Sequence, residues 1–417
     1  LTQNGLVDPA VQFFTVYAAK SLFFFFSRLV DALVAHLQKF IHIGSHDRQK
    51  LGAFQQRVGR TETTVEATVP ETIPVTEPPE TLPPDPIRLL LNEMSLEERV
   101  GQLFLARCDD AYALEHIEEY HLGGFVLFGR DFRNETPGDS AQQKLQRYQA
   151  AAKIPLLIAT DEEGGTVTRV SSLPYYRSKR FASPRALYDG GGMEWVLYEE
   201  NEKCALLKGL GVNVNLAPVV DIATDRNAFM YDRSLGRNAA VTSDFAANMV
   251  TLMDSYALGS CLKHFPGYGN NADTHTGIAT DSRSLSQLEG NDLLPFAAGI
   301  EAGADAILVS HTVVQCLDPE MPASLSPSVH AYLRNTMGFE GVILTDDLVM
   351  QAITDAYGAG EAAVLAVLAG NDLLCSTEYP VQYEAVLAAV LDGRIDIDTL
   401  NNAVRNVLEW KMDLGLI

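Results

Sequence analysis

Eight short apolar runs, separated by helical patterns, constrain the fold of this chain more than any other feature. They lie near residues 101–106, 124–128, 155–160, 212–220, 260–264, 305–310, 341–345 and 371–375. Most alternate with amphipathic patterns such as residues 364–368. Apolar strands that alternate with helices predict a parallel sheet covered on both sides, and eight such units are the number that closes a TIM barrel. We therefore expect an α/β protein with a single (β/α)8 TIM barrel domain. A doubly wound open sheet is the alternative.

The N-terminal part of the chain divides into two segments that precede this domain. Residues 1–60 contain an apolar run at 22–26 and an amphipathic stretch at 29–43, interrupted by Arg28 and Asp31. A membrane-spanning helix needs about 20 mostly apolar residues, so we do not expect an integral membrane span. An interfacial helix, a damaged signal region and a misread start remain alternatives for this segment of unknown role.

Residues 61–86 are rich in Thr, Pro and Glu and contain no Lys or Arg, which predicts an extended, mobile linker. The folded domain is expected at residues 87–417. Ser95 and Glu98 have the spacing of a capping box, which predicts that a helix starts there. Residues 400–414 predict a closing amphipathic helix.

Composition excludes several classes of function. The formal net charge is −23, from 54 acidic and 31 basic residues, so polyanionic partners such as nucleic acid are not expected. The five cysteines, Cys108, Cys204, Cys261, Cys316 and Cys375, are widely spaced and predict neither a zinc site nor a disulfide framework. The sequence contains no metal-ligand cluster of credible spacing, phosphate-binding loop or dinucleotide motif, so we expect no cofactor and no metal.

Polar residues follow the apolar runs where strands of a barrel would end. They are Asp161, Asp221, Lys263 with His264, His311 and Asp346. Catalytic residues of TIM barrels lie at the carboxyl ends of the strands, so these side chains predict one active site at one face.

Three motifs in this set indicate the chemistry. They are Lys263-His264-Phe265-Pro266-Gly267-Tyr268-Gly269, Asp273-Thr274-His275 and Thr345-Asp346-Asp347-Leu348. A His two residues after an Asp can be held by that Asp as a proton donor, and a carboxylate that ends an apolar run is well placed as a nucleophile. Together they predict the two halves of a double displacement at a sugar.

These motifs resemble those of glycoside hydrolase family 3, in its β-N-acetylhexosaminidase branch, where KHFPGHG runs into D-[ST]-H and a later [ST]-D-D-L. The resemblance covers roughly residues 87–417. It also includes residues 123–128, residues 161–165 with Arg169, and residues 215–221, all in family order. Tyr268 departs from the family pattern, since it stands where the family has its second His.

The resemblance implies a role for each motif. It makes Asp346, the first Asp of its pair, the nucleophile, whereas Asp347 fits better as a helix cap. His275 is implied as the general acid/base, with Asp273 favouring its protonated form and fixing its tautomer. Capping by Asp346 itself is the structural alternative.

The resemblance assigns Asp161, Arg233, Lys263 and His264 to substrate binding, where charged groups give short, directional bonds to sugar hydroxyls. For Arg169 and for Asp221 we favour a structural role, in which each forms a buried ion pair that supports the mouth of the barrel. His311 is intermediate between the two interpretations.

The expected function is a retaining exo-β-N-acetylglucosaminidase that releases terminal N-acetylglucosamine from peptidoglycan-type or related glycans through a glycosyl-aspartate intermediate. Alternatives are a β-glucosidase or glycoside phosphorylase on the same fold, a Schiff-base enzyme using Lys263, and a noncatalytic glycan-binding envelope protein. We expect a monomer whose partner is a glycan containing N-acetylglucosamine. Secretion or attachment to the cell envelope is the expected location, with the cytoplasm as the alternative.

Overall fold

The structure of this protein is a computed structural model. It describes residues 85–107, 109–133, 140–269 and 279–417, except for the side chains of Gln351 and Ala352. The N-terminal segment 1–60 and nearly all of the predicted linker 61–86 lie outside these residues, as does Cys108.

Each of the eight apolar runs contains a β-strand. In chain order, with two further two-residue strands, the strands are β1 (Phe104–Arg107), β2 (Gly124–Leu127), β3 (Leu157–Thr160), β4 (Val214–Asn215), β5 (Cys261–Phe265), β6 (Thr280–Asp281), β7 (Ala306–Val309), β8 (Val313–Val314), β9 (Val342–Thr345) and β10 (Leu374–Ser376). Because most of their residues are buried, these strands read in the sequence as continuous apolar runs.

The strands pair in parallel. One sheet has the order β10-β1-β2-β3-β4 and a second has the order β5-β7-β9, while β6 pairs with β8. Isolated parallel bridges join Val214 to Gly259 and Leu344 to Leu373, between the ends of the two larger sheets. The prediction of an α/β fold with parallel strands is therefore confirmed.

Helices connect the strands and cover their outer faces. They are Pro86–Glu93, Leu96–Gln102, Ala113–Tyr120, Ala141–Ala151, Pro184–Leu210 (kinked at Gly191 and Gly192), Ala239–Asp254, Leu285–Glu289, Leu293–Glu301, Pro327–Ala331, Gln351–Tyr357, Ala359–Ala369, Tyr379–Leu391 and Ile397–Asp413, with a 3-10 turn at Ala323–Leu325 and a π turn at Tyr332–Thr336. The predicted capping box is present, since Glu98 N donates to Ser95 Oγ and Ser95 N donates to Glu98 Oε2. The closing helix is also confirmed and buries Leu400, Val404 and Leu408.

Alternation of side chains along each strand divides the core into inner and outer parts. One buried cluster, which we call the inner cluster, receives residues from all eight strands that correspond to the apolar runs, including Leu105, Val126, Ala159 and Leu344. Residues between them, such as Phe125 and Ile343, belong to other clusters that include helix side chains. Side chains two positions apart on a strand lie on the same face. The residue two positions after the last inner-cluster residue of a strand is therefore expected on the inner face, at the carboxyl end of that strand.

The described cysteines are free thiols, and most of them lie in the core. Cys204, Cys261 and Cys375 are buried and carry free thiols, and Cys316 is partly buried. Cys261 and Cys375 belong to the inner cluster.

Candidate active site

Strand alternation places three predicted site residues together. Asp161, Lys263 and Asp346 each stand two positions after an inner-cluster residue, Ala159, Cys261 and Leu344 respectively. Lys263 Nζ donates to Asp161 Oδ1 at 2.7 Å. Burial raises the pKa of the Cys375 thiol, and the nearby carboxylates of Asp347, Asp346 and Asp161 raise it further. These acids therefore lie near Cys375 in β10.

A carboxylate that the sequence analysis had not assigned, that of Glu163, lies at the centre of the site. Its Oε1 is 2.7 Å from Lys263 Nζ and 2.7 Å from Arg233 Nη2, and its Oε2 accepts from Arg233 Nε at 2.9 Å. Glu163 thus joins two of the predicted substrate-binding cations. The bidentate geometry fixes the plane of the Arg233 guanidinium.

Burial and neighbouring charges shift the pKa values of Glu163 and Lys263 in opposite directions. Burial would raise the pKa of Glu163, but the charges of Lys263 and Arg233 outweigh it and hold this pKa well below its usual range. Burial would lower the pKa of Lys263, but Asp161 and Glu163 outweigh it and raise this pKa. The carboxylate and the ammonium group therefore stay charged at neutral pH.

His264 is held between Asp221 and Arg233. Its Nδ1 is 2.8 Å from Asp221 Oδ2 and its Nε2 is 3.3 Å from Arg233 Nη2. Because a guanidinium can only donate, Nε2 accepts, and the proton on Nδ1 is donated to Asp221. Asp221 also accepts from the backbone N of His264 and of Tyr268. These contacts give Asp221 a positioning role, in line with the structural interpretation favoured from the sequence.

Tyr268, the departure from the family pattern, is buried beside this network. Its ring meets that of His264 edge-on at 5.3 Å between centroids and lies 5.8 Å from that of Phe229. The aromatic side chain therefore packs one side of the His264 imidazole.

The two adjacent acids of the Thr-Asp-Asp-Leu motif have different surroundings. Asp347 Oδ1 accepts from the backbone N of Val349 at 3.1 Å, and its Oδ2 accepts from Thr377 Oγ1 at 2.6 Å. Asp347 therefore caps the turn after β9 and ties it to the end of β10. Asp346 continues the inward alternation of Leu344, and its Oδ1 accepts from the backbone N of Asp347 at 2.9 Å.

His311, for which the sequence left both substrate binding and structural support open, contacts this turn. It is fully buried, its Nδ1 is 2.7 Å from Ser324 Oγ, and its Nε2 is 3.0 Å from the backbone carbonyl oxygen of Asp347. A carbonyl oxygen can only accept, so Nε2 carries the proton and Nδ1 accepts from Ser324. His311 therefore fixes the peptide bond between Asp347 and Leu348, one residue beyond Asp346.

Arg169 is positioned by its own segment of chain. Glu162 accepts from the backbone N of Arg169 and of Val170, both at 2.7 Å. The Nη2 atom of Arg169 lies 3.7 Å from Asp161 Oδ2, which makes a loose ion pair.

Asp273 and His275, the predicted acid/base pair, lie outside the described residues, and their placement stays a prediction. Within the described part of the chain, no group of three or more His, Cys, Asp or Glu side chains is arranged to hold a metal ion. No described helix is long and apolar enough to cross a membrane.

Comparison with known proteins identifies the family. The model for the glycosyl hydrolase family 3 N-terminal domain matches residues 95–410. A beta-hexosaminidase of Xylella fastidiosa strain M23 is 34% identical over 317 residues, which cover 72% of this chain and 89% of that protein.

Two solved structures agree with this match. A glycoside hydrolase family 3 beta-N-acetylglucosaminidase from Paenibacillus sp. FPU-7 is 32% identical with a TM-score of 0.71, covering 78% of this chain but 63% of that one. A beta-N-acetylhexosaminidase from Beutenbergia cavernae is 27% identical with a TM-score of 0.68, covering 77% of this chain and 99% of that one. This chain belongs to glycosyl hydrolase family 3 and is a glycoside hydrolase.

Proposed function

We propose that the protein is a retaining exo-β-N-acetylglucosaminidase that uses Asp346 as its nucleophile. The observation that carries this proposal is the position of Asp346, at the carboxyl end of β9 and on the same face as Asp161 and Lys263. Its neighbour Asp347 is bound by Thr377 and Val349, whereas Asp346 continues the alternation of Leu344 toward the mouth.

The reaction proceeds in two displacements. The Asp346 carboxylate attacks the anomeric carbon, and the bond to the leaving oxygen breaks as His275 gives that oxygen a proton. Water then attacks the glycosyl ester while His275 takes a proton from it, which releases the sugar and restores Asp346. Asp273 holds His275 in the tautomer that both steps need.

The network around Glu163 supplies a rigid clamp for the sugar. Asp161 offers carboxylate oxygens, and Lys263 and Arg233 offer charged donors whose positions are fixed before substrate binds. His264 is held against rotation by Asp221. Groups oriented in advance lower the entropic cost of binding and act on charge that develops in the transition state.

We further propose that the eight strands form a closed (β/α)8 barrel. Two observations support closure: the bridges Val214–Gly259 and Leu344–Leu373 lie between the two larger sheets, and one inner cluster receives residues from all eight strands. In such a barrel the active site faces the mouth formed by the carboxyl ends.

The names of similar proteins support N-acetylglucosamine as the sugar that is released. Beta-hexosaminidase and beta-N-acetylglucosaminidase are the names of the similar proteins, and we propose terminal N-acetylglucosamine on peptidoglycan-type glycans as the substrate here. A secreted or envelope-attached enzyme would meet such glycans directly, and a cytoplasmic one would meet their fragments.

The Schiff-base alternative is disfavoured by the surroundings of Lys263. Attack on a carbonyl needs a free amine, and catalytic lysines obtain one through a lowered pKa. Two carboxylates within 2.7 Å instead raise the pKa of Lys263. The geometry suits a binding cation.

The test measures p-nitrophenol release by the wild-type protein. The substrates are p-nitrophenyl β-N-acetylglucosaminide and β-glucoside, with and without phosphate. Faster turnover of the acetamido substrate, independent of phosphate, is the expected result. Preference for the glucoside would overturn the proposed specificity, and a rate that rises with phosphate would favour a phosphorylase. No turnover of either substrate would contradict the proposal.

A further inference from the structure

Arg107 lies at the mouth, although no motif draws attention to it. It ends β1, two positions after Leu105 of the inner cluster, just as Phe128 follows Val126 at the end of β2. The alternation that directs Asp161 and Asp346 toward the mouth therefore directs Arg107 and Phe128 there as well. Because β1 pairs with β10 and β2, Arg107 lies between the strand that anchors Asp347 and the one that carries Phe128.

Two guanidinium groups share the ring of Phe128. The Cζ atom of Arg107 is 4.7 Å from the ring centroid, and that of Arg169 is 5.0 Å from it. The two positive groups therefore lie within about 10 Å of each other. Stacking on an aromatic ring stabilises a cation and limits the conformations of its side chain.

The surrounding protein leaves this pair short of hydrogen-bond acceptors. The Nε atoms of Arg107 and Arg169 are both buried without a hydrogen-bond partner among the described residues. Arg169 has Asp161 at 3.7 Å, whereas no described carboxylate lies within ion-pair distance of Arg107. A buried donor without an acceptor costs about 1–3 kcal/mol, which a ligand that supplies one would recover.

We propose that Arg107 and Arg169, stacked on Phe128, bind an anionic substituent of the glycan: a carboxylate, phosphate or sulfate. This inference rests on the proposed function, and it assigns to this enzyme an acidic rather than a neutral substrate. A planar guanidinium recognises such oxyanions by paired hydrogen bonds. The net charge of −23 repels anionic ligands from most of the surface. A local pair of cations therefore determines where an anionic ligand can bind.

The anion has two possible sources, and matched substrates distinguish them. If the terminal sugar carries it, p-nitrophenyl β-N-acetylglucosaminide 6-sulfate should be preferred over the unsulfated compound. If the next sugar carries it, a disaccharide with a carboxylate on its second sugar should be preferred over its methyl ester. Each pair differs in one charge, so the ratio of the two kcat/KM values measures recognition of that charge.

The variants are Arg107→Gln and, as a control, Arg394→Gln, which removes an exposed arginine paired with Glu361. The wild type and the control should prefer one anionic substrate by about 10-fold or more, the value of one charge-assisted hydrogen bond. Arg107→Gln should lose that preference and hydrolyse the neutral substrate within about 2-fold of wild type. The preference should also weaken as salt is raised.

Two results would overturn the proposal: a wild type that prefers neither anionic substrate, or an Arg107→Gln variant that loses activity on charged and neutral substrates alike. Failure of the proposed function would give a different result, because the wild type would then hydrolyse neither the charged nor the neutral substrate of a pair. Calorimetric binding of N-acetylglucosamine 6-sulfate and of the carboxylate disaccharide, each against its neutral counterpart, then decides the question. An affinity gain for either anion that Arg107→Gln abolishes supports the subsite, and no gain for either refutes it.

Discussion

Glu163 Oε1 lies 2.7 Å from Lys263 Nζ, and both side chains are 2% exposed. Breaking a buried ion pair by removing one partner costs about 3–5 kcal/mol, because a charge is left without compensation. The same oxygen accepts from Arg233. A single carboxylate therefore sets the positions of two cations in the proposed sugar clamp.

Replacing this carboxylate should damage both stability and activity. For Glu163→Gln we expect the free energy of unfolding to fall by about 3 kcal/mol, and kcat/KM to fall at least about 10-fold, as the cations lose their common partner. Urea denaturation and steady-state kinetics measure the two effects. Glu202→Gln is the control, since Glu202 pairs with Arg177 but is 49% exposed, and it should change stability by at most about 1 kcal/mol. Equal effects of the two substitutions would contradict the role given to Glu163.

His311 should act on turnover through the turn that it supports. His311→Ala removes the donor to the Asp347 carbonyl and leaves a cavity, so kcat should fall about 10-fold or more while KM changes little. His311→Gln retains a donor and should recover part of the loss. Steady-state kinetics of both variants on p-nitrophenyl β-N-acetylglucosaminide provide the measurement. A purely structural role would lower the stability of both variants without restoring kcat in the Gln variant.

The rate loss on removing the proposed acid His275 should be larger for substrates with poorer leaving groups. His275→Ala should slow hydrolysis of a disaccharide by about 10²- to 10⁴-fold, the usual contribution of a positioned general acid. The loss should be much smaller for p-nitrophenyl substrates, because p-nitrophenolate departs with little protonation. His121→Ala, at the C-terminal end of the helix Ala113–Tyr120, serves as the control. Identical losses on both substrates would refute an acid role for His275.

The burial of Lys411 predicts that the free energy of unfolding depends on pH. It is fully buried, donates to Gln102 Oε1 at 2.6 Å, and burial lowers its pKa to about 7. Between that value and its unfolded pKa of about 10.4, the unfolded chain binds the extra proton, so stability rises with pH. Relative to Lys411→Met, the wild type should gain about 2 kcal/mol in free energy of unfolding from pH 7 to pH 9.

Chemical denaturation at the two pH values tests this, with exposed Lys179→Met as the control. The control should track the wild type at both values. If the difference between wild type and Lys411→Met does not change with pH, Lys411 does not titrate in this range.

The strands and their end residues could be predicted because the signal is local. A run that is buried on both faces is continuously apolar, and the first polar residues after it mark its carboxyl end. Asp161, Lys263 and Asp346 were found in this way. The spacing of Ser95 and Glu98 likewise fixed the start of a helix, because a capping box spans one turn.

The partners within the site could not be predicted, because they depend on loop geometry. Glu162 and Glu163 are adjacent and chemically equivalent in the sequence, yet Glu162 binds backbone N–H groups and Glu163 binds Lys263. Arg107 resembles any polar residue at the end of a strand until its stacking on Phe128 is seen. Lys411 stands at the helical spacing of Leu400, Val404 and Val407 and is buried with them, although it is a charged residue. The sequence could not reveal that Gln102 would be its partner.

The central claim is that Asp346, and not its neighbour Asp347, is the nucleophile. The most direct test is p-nitrophenol release from the β-N-acetylglucosaminide by Asp346→Asn and Asp347→Asn, each compared with wild type. Asp346→Asn should lose roughly 10⁴-fold or more in kcat, since an amide cannot form the glycosyl ester. Asp347→Asn, which keeps an acceptor for Thr377, should retain far more activity. Substantial activity in Asp346→Asn together with its loss in Asp347→Asn would contradict the account.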